Sequence, residues 1–135
     1  YLIHKGRPFL FSTSHPPAVV EANREALRVM EEETELFDRL WENTEFFKHG
    51  LRELGFNIGT STTPITPVIV GDEALCHQLS DRLRQHGVFA QGIAFPTVAK
   101  GKARVRTIVT AEHTREDLEQ ALEAFKQVGQ ELELI

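Results

Sequence analysis

The segment Phe95–Thr110 constrains the fold of this chain more than any other stretch. It reads FPTVAKGKARVRTIVT, a turn with proline, glycine and lysines that leads into alternating charged and apolar residues. Because successive side chains of a strand point to opposite faces, Arg104 and Arg106 share one face, and Val105 and Val109 take the other. An arginine fixed on a strand can bind a carboxylate through two parallel hydrogen bonds. Two solvated cations on an edge strand would give the same pattern, so both interpretations remain open.

Composition narrows the class of protein. A length of 135 residues suits one domain with a modest core, and a formal net charge of −5 gives no basic footprint for nucleic acid. No apolar run approaches the roughly 18–20 residues that span a membrane, and no stretch reads as a signal peptide, so we expect neither feature in these residues. The single cysteine, Cys76, excludes an intrachain disulfide and fits a reducing compartment, so we predict a cytoplasmic protein. The chain begins at Tyr1 without methionine, within sequence that reads as structured, which suggests a fragment of a longer protein.

Prolines and apolar periodicity predict the first half of the chain. Residues 1–16 should be extended, because Pro8 and the pair Pro16–Pro17 disfavour helix in the residues before them. Apolar residues then recur at intervals of three and four up to residue 54. We expect two helices there, or one helix with a break near Thr34.

The second half alternates strands and helices. Strands are predicted over residues 65–70, 88–93 and 103–109. A helix capped by Asp72 should end at Gly87, and a last helix should begin at a capping box made by Thr114 and Asp117. The chain is therefore predicted to be an α+β domain, with a small, mostly antiparallel sheet covered by helices.

Most residues with reactive side chains fit structural roles. The six histidines do not pair with each other or with cysteine at metal-ligand spacing, so no metal site is predicted. Cys76 lies on the apolar stripe of a helix, and Trp41 and the nine phenylalanines follow core patterns. Ser12, Thr13 and Ser14 precede a helix that starts at the proline pair, where hydroxyls and free backbone N–H groups either cap the helix or bind an anion.

Three motifs in this order resemble one family. GRPFLFSTSHPP, TPITPVIVGD and FPTVAKGKARVRTIVTAEHT are similar to the C-terminal part of the α-oxoamine synthases. These pyridoxal phosphate (PLP) enzymes of the aspartate-aminotransferase fold type condense an amino acid with an acyl-CoA. The run KGKARVR after a Phe-Pro turn is most similar to glycine C-acetyltransferase, which makes 2-amino-3-oxobutyrate. The 8-amino-7-oxononanoate synthases of biotin biosynthesis are close behind, and Thr97 matches their version of the turn.

The resemblance implies roles for particular residues. Arg106 matches the arginine that binds the α-carboxylate of the amino-acid substrate, glycine or alanine, and Thr97 lies in the turn that lines the substrate entrance. Ser12 and Thr13 match hydroxyls that reach the cofactor phosphate of the neighbouring subunit in a homodimer. Arg104 shares the face of Arg106 without needing to share its role.

The resemblance also implies what this chain lacks. The Schiff-base lysine of the family lies upstream, in a Ser/Thr–Lys segment followed by glycines, and none of the five lysines here has that context. We therefore expect residues 1–135 to be a single C-terminal domain of a larger PLP enzyme, inactive alone and not binding the cofactor by itself. The competing hypothesis is a free-standing module that binds carboxylates or mediates dimerisation.

Overall fold

A computed structural model describes residues 1–10, 12 and 15–135, without the side chains of residues 9 and 10. Contacts divide the chain into two compact units, Tyr1–Glu35 and Leu36–Ile135. Nine elements follow in order within the described residues: α1 (Leu2–Lys5), α2 (Arg7–Leu10), α3 (Pro17–Glu32), α4 (Glu35–Glu53), β1 (Ile65–Gly71), α5 (Glu73–Gln85), β2 (Gln91–Ile93), β3 (Ala103–Ile108) and α6 (Arg115–Glu131). In this part of the chain, no helix is long and apolar enough to cross a membrane.

The first unit is helical. The prediction that residues 1–16 are extended is wrong for α1 and α2, which each form a single helical turn. Pro8 lies in the first turn of α2, where its missing N–H is not needed by the helix. Helix α3 starts at Pro17, as predicted, and two residues separate its end from the start of α4, so the expected break near Thr34 is confirmed. None of the residues of α3 is buried.

The second unit contains the sheet, whose strand order is β1-β3-β2 with both pairs antiparallel. Alternate residues of β3 are buried, so the sheet has one core face and one open face. Val68 and Val105 are fully buried on the core face, whereas Ile108 on the other face is 54% exposed. The predicted α+β class with a small antiparallel sheet and covering helices is confirmed.

One hydrophobic core joins the sheet to α4, α5 and α6. Phe125 of α6 lies at its centre and makes edge-to-face contacts with Phe47 and Phe56, with ring centroids 6.1 and 5.6 Å apart. Lys48 of α4 is also in the core, only 2% exposed, and its Nζ donates to the carbonyl of Ser61 at 3.0 Å. A buried ammonium needs such an acceptor, so this bond ties α4 to the loop before β1.

The predicted helix caps are present. Asp72 Oδ1 accepts a hydrogen bond from the Leu75 N–H at 2.8 Å, and α5 ends just before Gly87, whose φ is +82°. At α6, the Thr114 and Asp117 side chains each accept from the other residue's backbone N–H. Both helices therefore begin where the sequence placed them, because a cap depends on residues that are adjacent in the chain.

Two predictions for the second unit are wrong. The strand expected from Val88 is limited to Gln91–Ile93, because the Val88 N–H donates to the Leu83 carbonyl and so belongs to the end of α5. Several aromatic residues assigned to the core are exposed, and among those that the structure describes the most exposed is Phe89, at 87%. Trp41, Phe37 and Phe95 are likewise exposed.

Candidate functional site

The two arginines of β3 lie on the open face of the sheet, as the alternation predicted. Arg106 is exposed and Arg104 is half-buried, whereas Val105 between them is fully buried. The strand therefore holds both guanidinium groups on one side, and their surroundings differ.

Arg106 borders a cavity of about 340 Å³ at the β2 edge of the sheet. Strand β2, the turn that follows it and one residue of α5 form the remaining walls. The lining residues are His77, Gln91, Gly92, Ile93, Ala94, Phe95, Thr97 and Arg106. None of these is acidic, and Arg106 carries the one permanent charge among them, so the cavity is suited to an anion.

Arg106 has a neutral partner. Its Nη2 donates to Oε1 of Gln91 at 3.4 Å, and in the described part of the chain no carboxylate lies within ion-pair distance of it. Other arginines of the described residues do pair with carboxylates, among them Arg24, Arg28, Arg39, Arg82 and Arg84. The charge of Arg106 thus remains available to a ligand.

The turn between β2 and β3 forms the other side of the cavity. The N–H groups of Thr97 and Val98 both donate to the Ala94 carbonyl, at 3.0 and 3.3 Å, and the Phe95–Pro96 peptide bond is cis. Lys100 Nζ lies 5.4 Å from the centroid of the Phe95 ring. Thr97 lines the cavity, and its predicted place at a substrate entrance remains a prediction.

Arg104 is placed differently. It does not line this cavity, and its Nε donates to the Lys102 carbonyl at 3.0 Å. Across the strand it faces Ile93 rather than a polar residue. The structure therefore separates the two arginines, with Arg104 bonded to the backbone of its own turn.

Helix α5 holds the backbone of β2 through hydrogen bonds of Ser80. The Ser80 hydroxyl donates to the Ala90 carbonyl at 2.6 Å and accepts from the Gly92 N–H at 3.2 Å. A Cβ on Gly92 would lie 3.3 Å from the Cys76 carbonyl oxygen, so only glycine fits without a shift. Burial raises the pKa of the Cys76 thiol, and a hydrogen bond with the Ile93 backbone acts in the opposite direction. Cys76 is thus a buried residue of α5, as predicted.

The predicted phosphate contacts remain predictions. Thr13 lies outside the described residues, and Ser12 is an exposed residue of the first unit. The cavity with Arg106 is formed entirely by residues of the second unit.

A second cavity, of about 510 Å³, lies between α6 and the core face of the sheet. Its walls include Phe47, Val109 and Phe125, with His113 and Asp117 among its polar residues, and none of the lining residues is an arginine or lysine. His113 Nδ1 accepts from the Thr110 N–H at 3.0 Å. Although this cavity is larger, it offers no permanent cation, so we take the cavity with Arg106 as the candidate site.

Sequence reasoning missed Gln91 and His77 in this site. Gln91 pairs directly with Arg106 across the antiparallel ladder, and His77 reaches the cavity from α5. The only sequence signal for Gln91 is its position in a segment predicted to be a strand. The register that brings it to Arg106 depends on the turn geometry and is not readable from the spacing.

The residues around Arg106 do not form a complete PLP site by themselves. Neither a lysine nor an aspartate lines the cavity. Lys48 is buried and bonded to the Ser61 carbonyl, and Lys126 pairs with Glu123 at 3.8 Å. Imine formation with PLP requires an amine that faces the cofactor, and the cavity walls provide none.

Comparison with known proteins places these motifs in a family. Residues 1–125 match the family described as aminotransferase class I and II. An 8-amino-7-oxononanoate synthase of Symbiobacterium thermophilum is 69% identical over 99% of this chain and 34% of its own length. A Thermus thermophilus protein named 8-amino-7-oxononanoate synthase/2-amino-3-ketobutyrate coenzyme A ligase is 57% identical, with the same coverage. The chain thus spans about a third of the length of these relatives.

A solved structure agrees with the sequence comparison. The structure of SPT (serine palmitoyltransferase) with PLP as an internal aldimine superimposes on this chain with a TM-score of 0.94 and 27% sequence identity. The match covers 99% of this chain and 34% of that one. These relatives carry the name 8-amino-7-oxononanoate synthase, the activity that the motifs had ranked second to glycine C-acetyltransferase. On the match over residues 1–125 and the α-oxoamine synthase names of its relatives, the chain belongs to the aminotransferase class I and II family and is α-oxoamine synthase-like.

Proposed function

We propose that this chain is the C-terminal domain of a PLP-dependent C-acyltransferase that joins an amino acid to an acyl-CoA, and that Arg106 binds the substrate carboxylate. The observation that carries the proposal is the position of Arg106. It is exposed at a cavity without acidic residues and bonded only to the neutral Gln91 among the described residues.

Arg106 would act by positioning. Its planar guanidinium can donate two parallel hydrogen bonds to a carboxylate, which fixes both the location and the orientation of the amino acid. A bound carboxylate at this point sets the direction of the Cα–H bond that the reaction must break. Holding reactants in a productive geometry lowers the barrier by making the encounter effectively intramolecular.

The cofactor supplies chemistry that this chain does not. PLP bound elsewhere in the longer enzyme would withdraw electrons from the substrate Cα, so that the proton there can leave. Because the cavity contains no lysine, we expect the isolated 135-residue chain to give no imine absorbance when titrated with PLP. A stoichiometric imine that borohydride traps on one lysine would contradict this expectation.

The name of the relatives suggests the substrates. In 8-amino-7-oxononanoate the amine is on carbon 8, next to a ketone at carbon 7. Carbons 8 and 9 therefore correspond to alanine without its carboxylate, and carbons 1–7 to a seven-carbon dicarboxylic acyl group. In this reaction the alanine Cα loses its proton and bonds to the thioester carbon, while the C–S bond breaks to release CoA. The carboxylate then leaves as carbon dioxide, and a proton takes its place on the Cα.

Glycine C-acetyltransferase activity is the second candidate, supported by the double name of the Thermus relative. In that reaction the new carbon–carbon bond joins the glycine Cα to the thioester carbon of acetyl-CoA, and the product 2-amino-3-oxobutyrate retains the carboxylate. The two reactions thus differ in the fate of the group that Arg106 would bind.

Carboxyl-labelled substrates test the proposal. The full-length enzyme should be incubated with carboxyl-¹³C alanine and the seven-carbon acyl-CoA, or with carboxyl-¹³C glycine and acetyl-CoA. We expect labelled carbon dioxide from the first pair, which identifies the synthase. Labelled 2-amino-3-oxobutyrate from the second pair would identify the ligase. No product from either pair, in an enzyme loaded with PLP, would contradict the proposed function.

The homodimer and the phosphate contacts of Ser12 and Thr13 belong to the same proposal. If these hydroxyls bind the cofactor phosphate of a neighbouring subunit, replacing both with alanine should weaken PLP binding and leave amino-acid selectivity unchanged. Equilibrium dialysis of PLP against the full-length variant measures the first effect, and unaltered PLP affinity would refute the assignment.

A further inference from the structure

We propose that Gln91 is a positioning residue for Arg106. It holds the guanidinium at the cavity without neutralising it, so that the arginine is preoriented for the substrate carboxylate. This inference rests on the proposed function, in which Arg106 binds that carboxylate. The motifs that resemble the family gave no role to Gln91.

The strand register brings the two side chains together. Gln91 of β2 and Arg106 of β3 are direct cross-strand partners, so their side chains leave the same face of the sheet. The contact joins Nη2 of the arginine to Oε1 of the glutamine at 3.4 Å, and both residues line the cavity. One N–H group of the guanidinium is thus engaged; no other acceptor among the described residues bonds to it, so its remaining N–H groups can donate to a ligand.

Because Gln91 is neutral, its contact with Arg106 does not offset the charge of the arginine. A carboxylate at this position would form an ion pair with Arg106, as Glu131 does with Arg82 at 3.1 Å, and would compete with an anionic substrate. An amide oxygen accepts a hydrogen bond and leaves the positive charge unbalanced. Gln91 can therefore orient Arg106 at little cost to its attraction for a carboxylate.

The backbone on both sides of Gln91 is held in place. Ser80 bonds to the Ala90 carbonyl and to the Gly92 N–H, the peptide groups that flank this residue. Because these bonds fix the backbone, the side chain of Gln91 starts from a defined position. Arg104 has no polar cross-strand partner of this kind, since it faces Ile93 on β2 and Ile69 on β1.

A double-mutant cycle in the full-length enzyme tests the inference. The variants are Gln91→Leu, Arg106→Gln and the combination, and calorimetry measures the dissociation constants of alanine and of ethylamine, which lacks the carboxylate. We expect Gln91→Leu to weaken alanine binding about three- to tenfold and to leave ethylamine binding unchanged. In the Arg106→Gln background, the same substitution should have no further effect. Gln91→Glu should weaken alanine binding more than Gln91→Leu, because it pairs with the guanidinium charge.

The matched control is Gln85→Leu. Gln85 Oε1 accepts from Arg82 Nη1 at 3.3 Å, so this variant removes a similar contact outside the cavity. Three results would overturn the inference. Gln91→Leu could bind alanine as tightly as the wild type, or Gln85→Leu could weaken alanine binding as much as Gln91→Leu does. Gln91→Leu could also weaken alanine binding as much in the Arg106→Gln background as in the wild type. Unchanged alanine affinity in Arg106→Gln alone would instead refute the proposed function.

Discussion

Replacing Ser80 with alanine removes two hydrogen bonds that tie strand β2 to helix α5. The hydroxyl donates to the Ala90 carbonyl at 2.6 Å and accepts from the Gly92 N–H at 3.2 Å. A hydrogen bond of this kind contributes about 0.5–1.5 kcal/mol net, so the two together stabilise this edge of the sheet by about 1–3 kcal/mol. We therefore expect Ser80→Ala to lower the free energy of unfolding by about 2 kcal/mol.

Native-state hydrogen exchange localises this effect. If the opening free energy of β2 falls by about 2 kcal/mol, the Gly92 amide should exchange about 30-fold faster than in the wild type. Urea unfolding measures the global loss in the same samples. Gln78→Ala is the control, because Gln78 is an exposed residue of the same helix. A Gly92 exchange rate within twofold of the wild type, or an equal loss in the control, would show that Ser80 does not hold the strand.

Three further predictions concern the rest of the second unit. Gly129→Ala would place a Cβ 2.6 Å from Cζ of the buried Phe56 ring. This overpacking should outweigh the higher helix propensity of alanine and lower the free energy of unfolding by about 1 kcal/mol. A variant that is as stable as the wild type in urea, or more stable, would contradict this. A hydrogen bond from the Thr114 N–H holds the pKa of Asp117 below its ordinary value. The ionised Asp117 therefore stabilises the folded state above the pKa that it has in the unfolded chain, and this stabilisation is lost as the pH falls through its pKa in the folded chain. The difference in unfolding free energy between wild type and Asp117→Asn should therefore shrink below about pH 4, and a constant difference from neutral to strongly acidic pH would be inconsistent with the cap. Because burial raises the pKa of the Cys76 thiol, an aromatic disulfide reagent should react with it slowly in the folded chain and rapidly in urea; equal rates would contradict its burial.

Features that depend on neighbouring residues could be read from the sequence. The alternation in β3 placed Arg104 and Arg106 on one face, and the capping residues Asp72 and Thr114 marked the starts of two helices. Each of these signals lies within a few residues of what it determines. Helix starts and strand faces were therefore predictable without knowledge of the tertiary structure.

Features that depend on distant contacts could not be read in this way. Lys48 is at helical spacing from the buried residues Thr44 and Leu51, but its charge argues for the surface. Its burial depends on a carbonyl in the loop before β1, and the sequence does not place that carbonyl near the helix. Phe89 follows an apolar pattern and is nevertheless exposed, because it lies in the connection between α5 and β2, directly after Val88, whose N–H still bonds to the end of the helix.

In the candidate site, too, some residues could be predicted from the sequence and others could not. The strand pattern and the family resemblance together pointed to Arg106, and the resemblance pointed to Thr97. Gln91 and His77 entered only with the register of β2 and the packing of α5 against it. The arginine is thus a local feature of the sequence, whereas its environment is set by tertiary contacts.

The binding of an amino acid to matched arginine variants of the full-length enzyme tests the central claim most directly. Calorimetric titration with alanine should compare Arg106→Gln with Arg104→Gln, which makes the same charge change on the same strand outside the cavity. Loss of two charge-assisted hydrogen bonds, at about 1.5–3 kcal/mol each, predicts that Arg106→Gln weakens binding at least about a hundredfold. Arg104→Gln should change the affinity less than about threefold, because that arginine lies outside the cavity and donates to the backbone of its own turn. Equal affinities in the two variants would contradict the assignment of Arg106 as the residue that binds the carboxylate.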